Sequence, residues 1–273
     1  MRLCWLLPVL VGLLLSACDT TDPSPPAENE IVVQGFLYAD PATDSIRLTR
    51  AVPLDSTGTT PPPVPNATVT LHKENATYTF ASDDAGSGLY TYPGDDLTVD
   101  AGNRFLLDIA HEDTRITAET TVPEPPTGVD LSGTVLEAPD FSGIPGDIGS
   151  GRTTLSVRWT NPNDALHFVV VESLVEDDPE FIFPDEIRER FDGFQFVTRP
   201  TTATSYTISL AQLDVLGPHR LTVYRINEEY AALYENQTQD SRDLNEPPSN
   251  VNGGLGVFSA FNGTSVTFEV VRQ

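Results

Sequence analysis

The sequence predicts an all-β chain: two tandem β-sandwiches with one short helix. Three observations predict it. Apolar residues recur at every second position in many short runs. Clusters of Asp, Gly, Asn and Pro fall between those runs. A proline-rich break, Pro123-Glu124-Pro125-Pro126-Thr127-Gly128, divides the runs into two sets. Period-two runs are half-buried strands, and many of them separated by turn formers build a sandwich. Proline cannot sit in a central strand and stiffens a link, so the break is the predicted boundary between residues 30–125 and 126–273.

The chain opens with Arg2, an apolar run from Leu6 to Leu15, and then Leu15-Ser16-Ala17-Cys18. The run is too short to span a bilayer. A basic start and small residues before a cysteine are the marks of a lipoprotein signal peptide, predicted over residues 1–17. Cys18 is then the expected lipidation site and mature N-terminus. Acyl chains hold such a protein to a membrane, each buried methylene contributing ~0.8 kcal/mol. Cys4 leaves with the signal, so no disulfide is expected in the mature fold. Residues 18–29 are polar and proline-rich and read as a flexible tether, the spacer after Cys18 reaching roughly 36 Å when extended.

The first sandwich opens at Ile31, where Ile31, Val33, Gly35 and Leu37 share one face. Strands are predicted at Ser45–Ala51, Thr68–His72, Thr77–Ala81, Leu89–Tyr92, Arg104–Ala110 and Arg115–Val122. Phe105, Leu107 and Ile109 give the clearest alternation. In the second sandwich the strands fall at Thr154–Trp159, His167–Ser173, Ser205–Leu210, His219–Ile226, Gly256–Phe261 and Ser265–Val271. Leu155, Val157 and Trp159 are read as inward. The continuous apolar run of His167–Ser173 predicts a strand covered on both faces. Tyr230, Leu233, Tyr234 and Gln237 share one face of a short helix starting at Asn227. This order of strands resembles a fibronectin type III sandwich. Residues 176–198 interrupt it as an insertion, acidic and aromatic at once.

The formal charge is −25 for 273 residues, and Lys73 is the only lysine. Nucleic acid is excluded as a partner, because phosphate binding needs basic patches. The acids are spread along the chain, which reads as a solvated surface of the kind salt screening tolerates, with cation binding as the alternative.

No motif for catalysis appears. His72, His111, His167 and His219 show no metal-ligand spacing, and no G-x-S-x-G elbow or phosphate loop is present. Ser87, in a turn before a strand, is rejected as a nucleophile. Asp83-Asp84-Ala85-Gly86 offers carboxylates to a calcium ion, with Asp83 and Asp84 as the ligands, but also reads as a hairpin turn, and Asp95-Asp96 reads likewise. In the insertion, Phe181, Phe183, Phe191 and Phe194 are candidate partner contacts, against the plainer reading that they cover a sheet edge or core. Asp185, Glu186 and Glu189 could mimic a glycosidase pair. Gly253, Gly254 and Gly256 read as a tight turn feeding a strand.

Several strings together resemble one family. They are Ile31-Val-Val-Gln-Gly-Phe-Leu, Ile46-Arg-Leu-Thr-Arg-Ala-Val-Pro-Leu, Val64-Pro-Asn-Ala-Thr-Val-Thr-Leu, Ala101-Gly-Asn-Arg-Phe-Leu-Leu-Asp-Ile and, most specific, Asn250-Val-Asn-Gly-Gly-Leu-Gly-Val-Phe. The chain resembles the Bacteroidetes-type envelope lipoproteins of the domain of unknown function 4249. That resemblance implies an immunoglobulin- or carboxypeptidase-regulatory-like first sandwich and company with TonB-dependent outer-membrane receptors. It supplies no catalytic residues. The expected protein is therefore a non-enzymatic, lipid-anchored lipoprotein of the cell envelope, most readily at the outer membrane. It would be an accessory or binding module beside a receptor or other envelope protein, with no required cofactor. A calcium- or carbohydrate-binding module is the alternative, and a hydrolase the remote one.

Overall fold

The computed structural model describes residues 30–39, 45–52, 60–82, 86–139, 153–184, 196–235 and 249–273. The first unit holds β1 (Ile31–Tyr38), β2 (Ser45–Arg50), β3 (Thr68–Lys73), β4 (Ala76–Ser82), β5 (Leu89–Thr91), β6 (Arg104–His111) and β7 (Thr114–Thr121). Then come β8 (Thr127–Leu131), β9 (Val135–Ala138), β10 (Thr154–Thr160), β11 (His167–Ser173), β12 (Phe196–Val197), β13 (Ser205–Ser209) and β14 (Gly217–Arg225). Helix α1 (Glu228–Glu235) precedes β15 (Val251–Asn252) and the long β16 (Leu255–Arg272). The chain is all-β, built as β-sandwiches, as its periodicity requires.

Hydrogen bonds join the strands in the order β12-β11-β14-β16-β1-β2-β5-β4-β3-β6-β7-β15, with β9 beside β16, while β13-β10-β8 form a second sheet. The long ladder folds over on itself at β4, which pairs with β3 through Ala76–Phe80 and with β5 through Ala81–Ser82. The two arms then share one core. Val33, Leu37, Ile46 and Leu48 meet Val69, Leu71, Phe105, Leu107, Ile109 and Ile116 there. Strand β6 shows the cause: Phe105, Leu107 and Ile109 are fully buried while the residues between them turn the other way, Leu106 exposed among them. Fully burying each such side chain contributes about 1.5–3 kcal/mol.

The second core lies between β10 and β13 on one side and β11, β14 and the end of β16 on the other. Leu155, Val157, Trp159 and Ile208 pack there with Val169, Val171, Leu221, Val223, Phe268 and Val270. The inward residues expected on β10 are inward.

Strand β16 departs from the sequence expectation. Two strands were expected, split at Asn262-Gly263-Thr264, and the chain runs straight through. The reason is its neighbours. Residues 255–261 pair in parallel with β1, and residues 262–270 pair antiparallel with β14, so the partner changes at Asn262 without a turn. Asn262 Nδ2 donates to the Pro123 carbonyl at 2.8 Å and Thr264 Oγ1 to that of Pro126 at 2.7 Å. The turn-forming side chains thus grip the proline-rich link instead of reversing the chain. Val251, Phe258 and Ala260 complete the first core from the far side of that link.

A third cluster joins the units. Phe36 and Tyr38 of β1, Phe168 of β11, Tyr224 of β14 and Phe261 of β16 pack with Tyr230 of α1. Tyr230 meets Phe261 edge-on at 4.8 Å, and Phe168 stacks on Tyr224 at 5.1 Å. Such aromatic pairs contribute about 0.5–1.5 kcal/mol beyond their buried area. Strand β11 is accordingly covered on both faces: Val169 and Val171 in the second core, Phe168 under the helix.

Candidate functional site: the cleft at the junction

Where β7 runs out into the proline-rich link, the end of β14 and the start of α1 stand opposite it. A cleft of 670 Å³ opens there, lined by 119–123, 163–166 and 225–229. That volume lies within the ~300–1,000 Å³ of small-molecule sites.

Each wall is fixed by its own chemistry. Glu228 and Glu229 occupy the first turn of α1, where the helix dipole favours carboxylates. Asn227, just before it, donates to the Thr120 hydroxyl at 3.1 Å and to the Thr121 carbonyl at 2.9 Å. The Glu229 carboxylate accepts from Thr120 Oγ1 at 2.9 Å and from Ser259 Oγ at 3.2 Å. Thr120 and Ser259 are buried, so these bonds satisfy groups that water cannot reach. On the opposite wall Asn161 shapes the loop: its amide donates to the Ala165 and Thr202 carbonyls, and its Oδ1 accepts from the Ala165 N–H, all at 2.9 Å. Asp164 in that loop holds a left-handed φ of 50°. The loop is a hydrogen-bonded ledge with an exposed carboxylate at its tip.

Arg225 is the cationic member. Along β14 the odd residues His219, Leu221 and Val223 face the second core, and Arg225 comes where that core ends, in register with His167. It is half-buried, and no side-chain hydrogen bond or ion pair joins it to any described residue. Glu119 does not reach for it, being held bidentately by Arg104, which lowers the Glu119 pKa. His167 Nδ1 donates to the Ala165 carbonyl at 2.9 Å, and burial holds its pKa below the ordinary value. The imidazole is thus neutral at pH 7, with the nearby Arg225 charge acting in the same direction.

The residues singled out in the sequence fall elsewhere. Cys18, Asp83, Asp84, Asp185, Glu186, Glu189, Phe191 and Phe194 lie outside the described residues. Phe181 and Phe183 are half-buried at the start of the insertion. Phe181 bridges Val215, and Ile182 between them is buried in the second core, its N–H donating to the Asp214 carbonyl at 2.9 Å. Arg272 clamps this stretch through the Glu180 carboxylate at 3.1 Å and the Phe181 carbonyl at 2.9 Å. Neither phenylalanine lines the cleft. His219 stacks on Phe268 at 5.3 Å, its pKa lowered by burial, and His72 bonds the Thr77 hydroxyl at 3.0 Å. Asp96 accepts from Tyr92, whose pKa that bond pushes up to about 12. Among the described residues no three His, Cys, Asp or Glu side chains group as metal ligands do.

The cleft residues were not singled out from sequence. They come from three stretches far apart in the chain, and each reads locally as a strand end or a helix start. The one local signal is Asn227-Glu228-Glu229, a helix start whose amide and carboxylates turn out to face β7.

Crystal structures similar to the chain include a multidomain titin fragment, at 11% identity over 89% of this chain and 67% of that one, TM-score 0.23. Another is the FN1–FN3 domains of chicken CNTN1, at 10% identity over 89% and 68%, TM-score 0.25. No curated protein matches the sequence. A family model matches residues 19–267, from just after Cys18 to within the last strand, and so embraces both cores, the link and the glycine-rich segment. The chain therefore belongs to the family described as Domain of unknown function (DUF4249).

Proposed function

We propose that this protein is a lipid-anchored lipoprotein of the cell envelope, held at the outer membrane through Cys18. It acts as a non-catalytic accessory or binding module beside a TonB-dependent-type receptor or another envelope protein. The observation that carries the reading is Leu15-Ser16-Ala17-Cys18 followed by a proline-rich leash that ends one residue before β1. An acylated cysteine on such a leash keeps an all-β body near the membrane while leaving it free to dock. The cleft at the junction supports a binding role, since its walls are polar and tied by hydrogen bonds.

Labelling cells with an alkyne palmitate tests the anchor. The wild type takes up label and sediments with membranes, and Cys18→Ala does neither. Label on Cys18→Ala, or membrane association without Cys18, defeats the proposal. Cross-linking in intact envelopes followed by capture is expected to recover a receptor or transporter; recovery of none removes the accessory role. A second reading, a calcium- or carbohydrate-binding module, draws on Asp83-Asp84-Ala85-Gly86 and the aromatic insertion. Calorimetry with calcium and a glycan array give heat and hits if it holds, and neither if it does not.

A further inference from the structure

We infer that the junction cleft binds short peptides through their two charged termini, the carboxylate at Arg225 and the ammonium at Asp164 and Glu228. This deepens the binding-module reading and rests on it, but needs neither the anchor nor the receptor.

Arg225 is the first ground. In a chain of charge −25 the described basic side chains are mostly spoken for: Arg104 pairs with Glu119, Arg115 with Asp108, Arg220 with Glu172 and Arg272 with Glu180. Arg225 is half-buried, lines the cleft and makes no such pair. A guanidinium offers a planar fork of donors matched to a carboxylate, and leaving one desolvated and unmatched is costly.

The walls supply the second ground. Glu229 is occupied by Thr120 and Ser259, and Glu119 by Arg104. Asp164 and Glu228 are exposed and carry no such bonds. A purely anionic ligand would meet repulsion from these carboxylates and from the whole surface. A purely cationic one would face Arg225 at close range. A ligand with both charges, separated along its length, satisfies both walls. At 670 Å³ the cleft is larger than a single amino acid requires. Its polar walls, with Asn163 at the rim, suit a peptide backbone rather than a hydrocarbon.

The test titrates the full-length, detergent-solubilised protein with a short-peptide casein digest, read by calorimetry. The same digest is run N-acetylated and, separately, carboxyl-amidated. The intact digest is expected to give saturable heat, each capped digest to bind about tenfold more weakly or worse, and Arg225→Gln to lose the heat. Glu228→Gln and Asp164→Asn lie on the surface, so they fold, and they are expected to weaken the intact digest but not the acetylated one. No heat from the intact digest overturns the inference, as does equal binding of the capped digests. Undiminished heat in Arg225→Gln, or in both surface variants, overturns it too. Such a failure leaves the palmitate and cross-linking outcomes untouched, so the two readings fail separately.

Discussion

Asn250 uses one side chain to stand in for a strand. Its Oδ1 accepts from the Phe258 N–H at 3.0 Å, and its Nδ2 donates to the Phe258 carbonyl at 2.7 Å and the Glu119 carbonyl at 3.2 Å. It thereby stitches β16 to the open edge of β7, where β15 pairs only with Thr117 and Ala118. Removing the amide orphans three backbone groups. Asn250→Ala is expected to cost about 2 kcal/mol in denaturant unfolding, from the desolvation of unpaired polar groups. Asn250→Asp keeps the acceptor but turns a carboxylate oxygen toward the Phe258 and Glu119 carbonyls, so it is expected to cost at least as much as Asn250→Ala. Gly256 serves the other edge of β16, in register with Val33 of β1. It holds a φ of 109°, and a Cβ there would lie 2.0 Å from the Val33 carbonyl oxygen. Gly256→Ala is expected to cost well over ~1 kcal/mol, measured in the same way. The sequence allowed the glycine-rich turn to be read, because glycine's tolerance of positive φ is a local property. It did not reveal the stitching, because Asn250 acts on residues brought near only by the pairing of β7, β15 and β16. Arg225 was hidden for the same reason: its lack of a partner is a fact about its surroundings, not its type.

Elements were more legible than their partners. Strand positions follow from period two, and β6, β10 and β11 sit where alternation and apolar content placed them. Strands β8, β9 and β15 are short and weakly patterned, and β16 was split in expectation because Asn262-Gly263-Thr264 looks like a turn until β14 is set beside it. Two strand histidines give a pH signature. His167 and His219 are buried, and burial holds both pKa values below the ordinary 6.5. The unfolded chain therefore takes up protons first as the pH drops. Stability is full above about pH 6.5 and declines as the pH falls toward the folded-state values. The melting temperature should drop between about pH 7 and pH 5, and His219→Gln should flatten that slope. A slope unchanged in both His219→Gln and His167→Gln would show that neither histidine contributes. Asp108 and Glu119, held low by Arg115 and Arg104, act in a separate window below about pH 4. At α1, Tyr230→Ala opens the aromatic cluster and is expected to cost ~3 kcal/mol, with loss of near-ultraviolet circular dichroism.

At the scale of the molecule, β16 is shared property. It supplies Phe258 and Ala260 to the first core, Phe261 to the aromatic junction, and Phe268 and Val270 to the second core. Calorimetry should then show one unfolding transition rather than two, and Phe261→Ala should lower that single transition rather than split it. Residues 30–125 expressed alone lack β15 and β16 and should not reach a folded monomer. The expected boundary at the proline-rich break carried no hint that a strand from the far end of the chain is needed to finish the first core, since that pairing is entirely non-local. The same strand governs how the body bears load. β1 lies between β2 and the parallel half of β16. Under the proposed anchoring at Cys18, a pull on the chain would enter β1 at Ile31, and its component along the strand would load both neighbours of β1. The two flanking ladders must then slip together, in shear, instead of peeling apart rung by rung. If the proposed anchor holds, envelope motion would thus load a strand bonded on both edges rather than an edge strand.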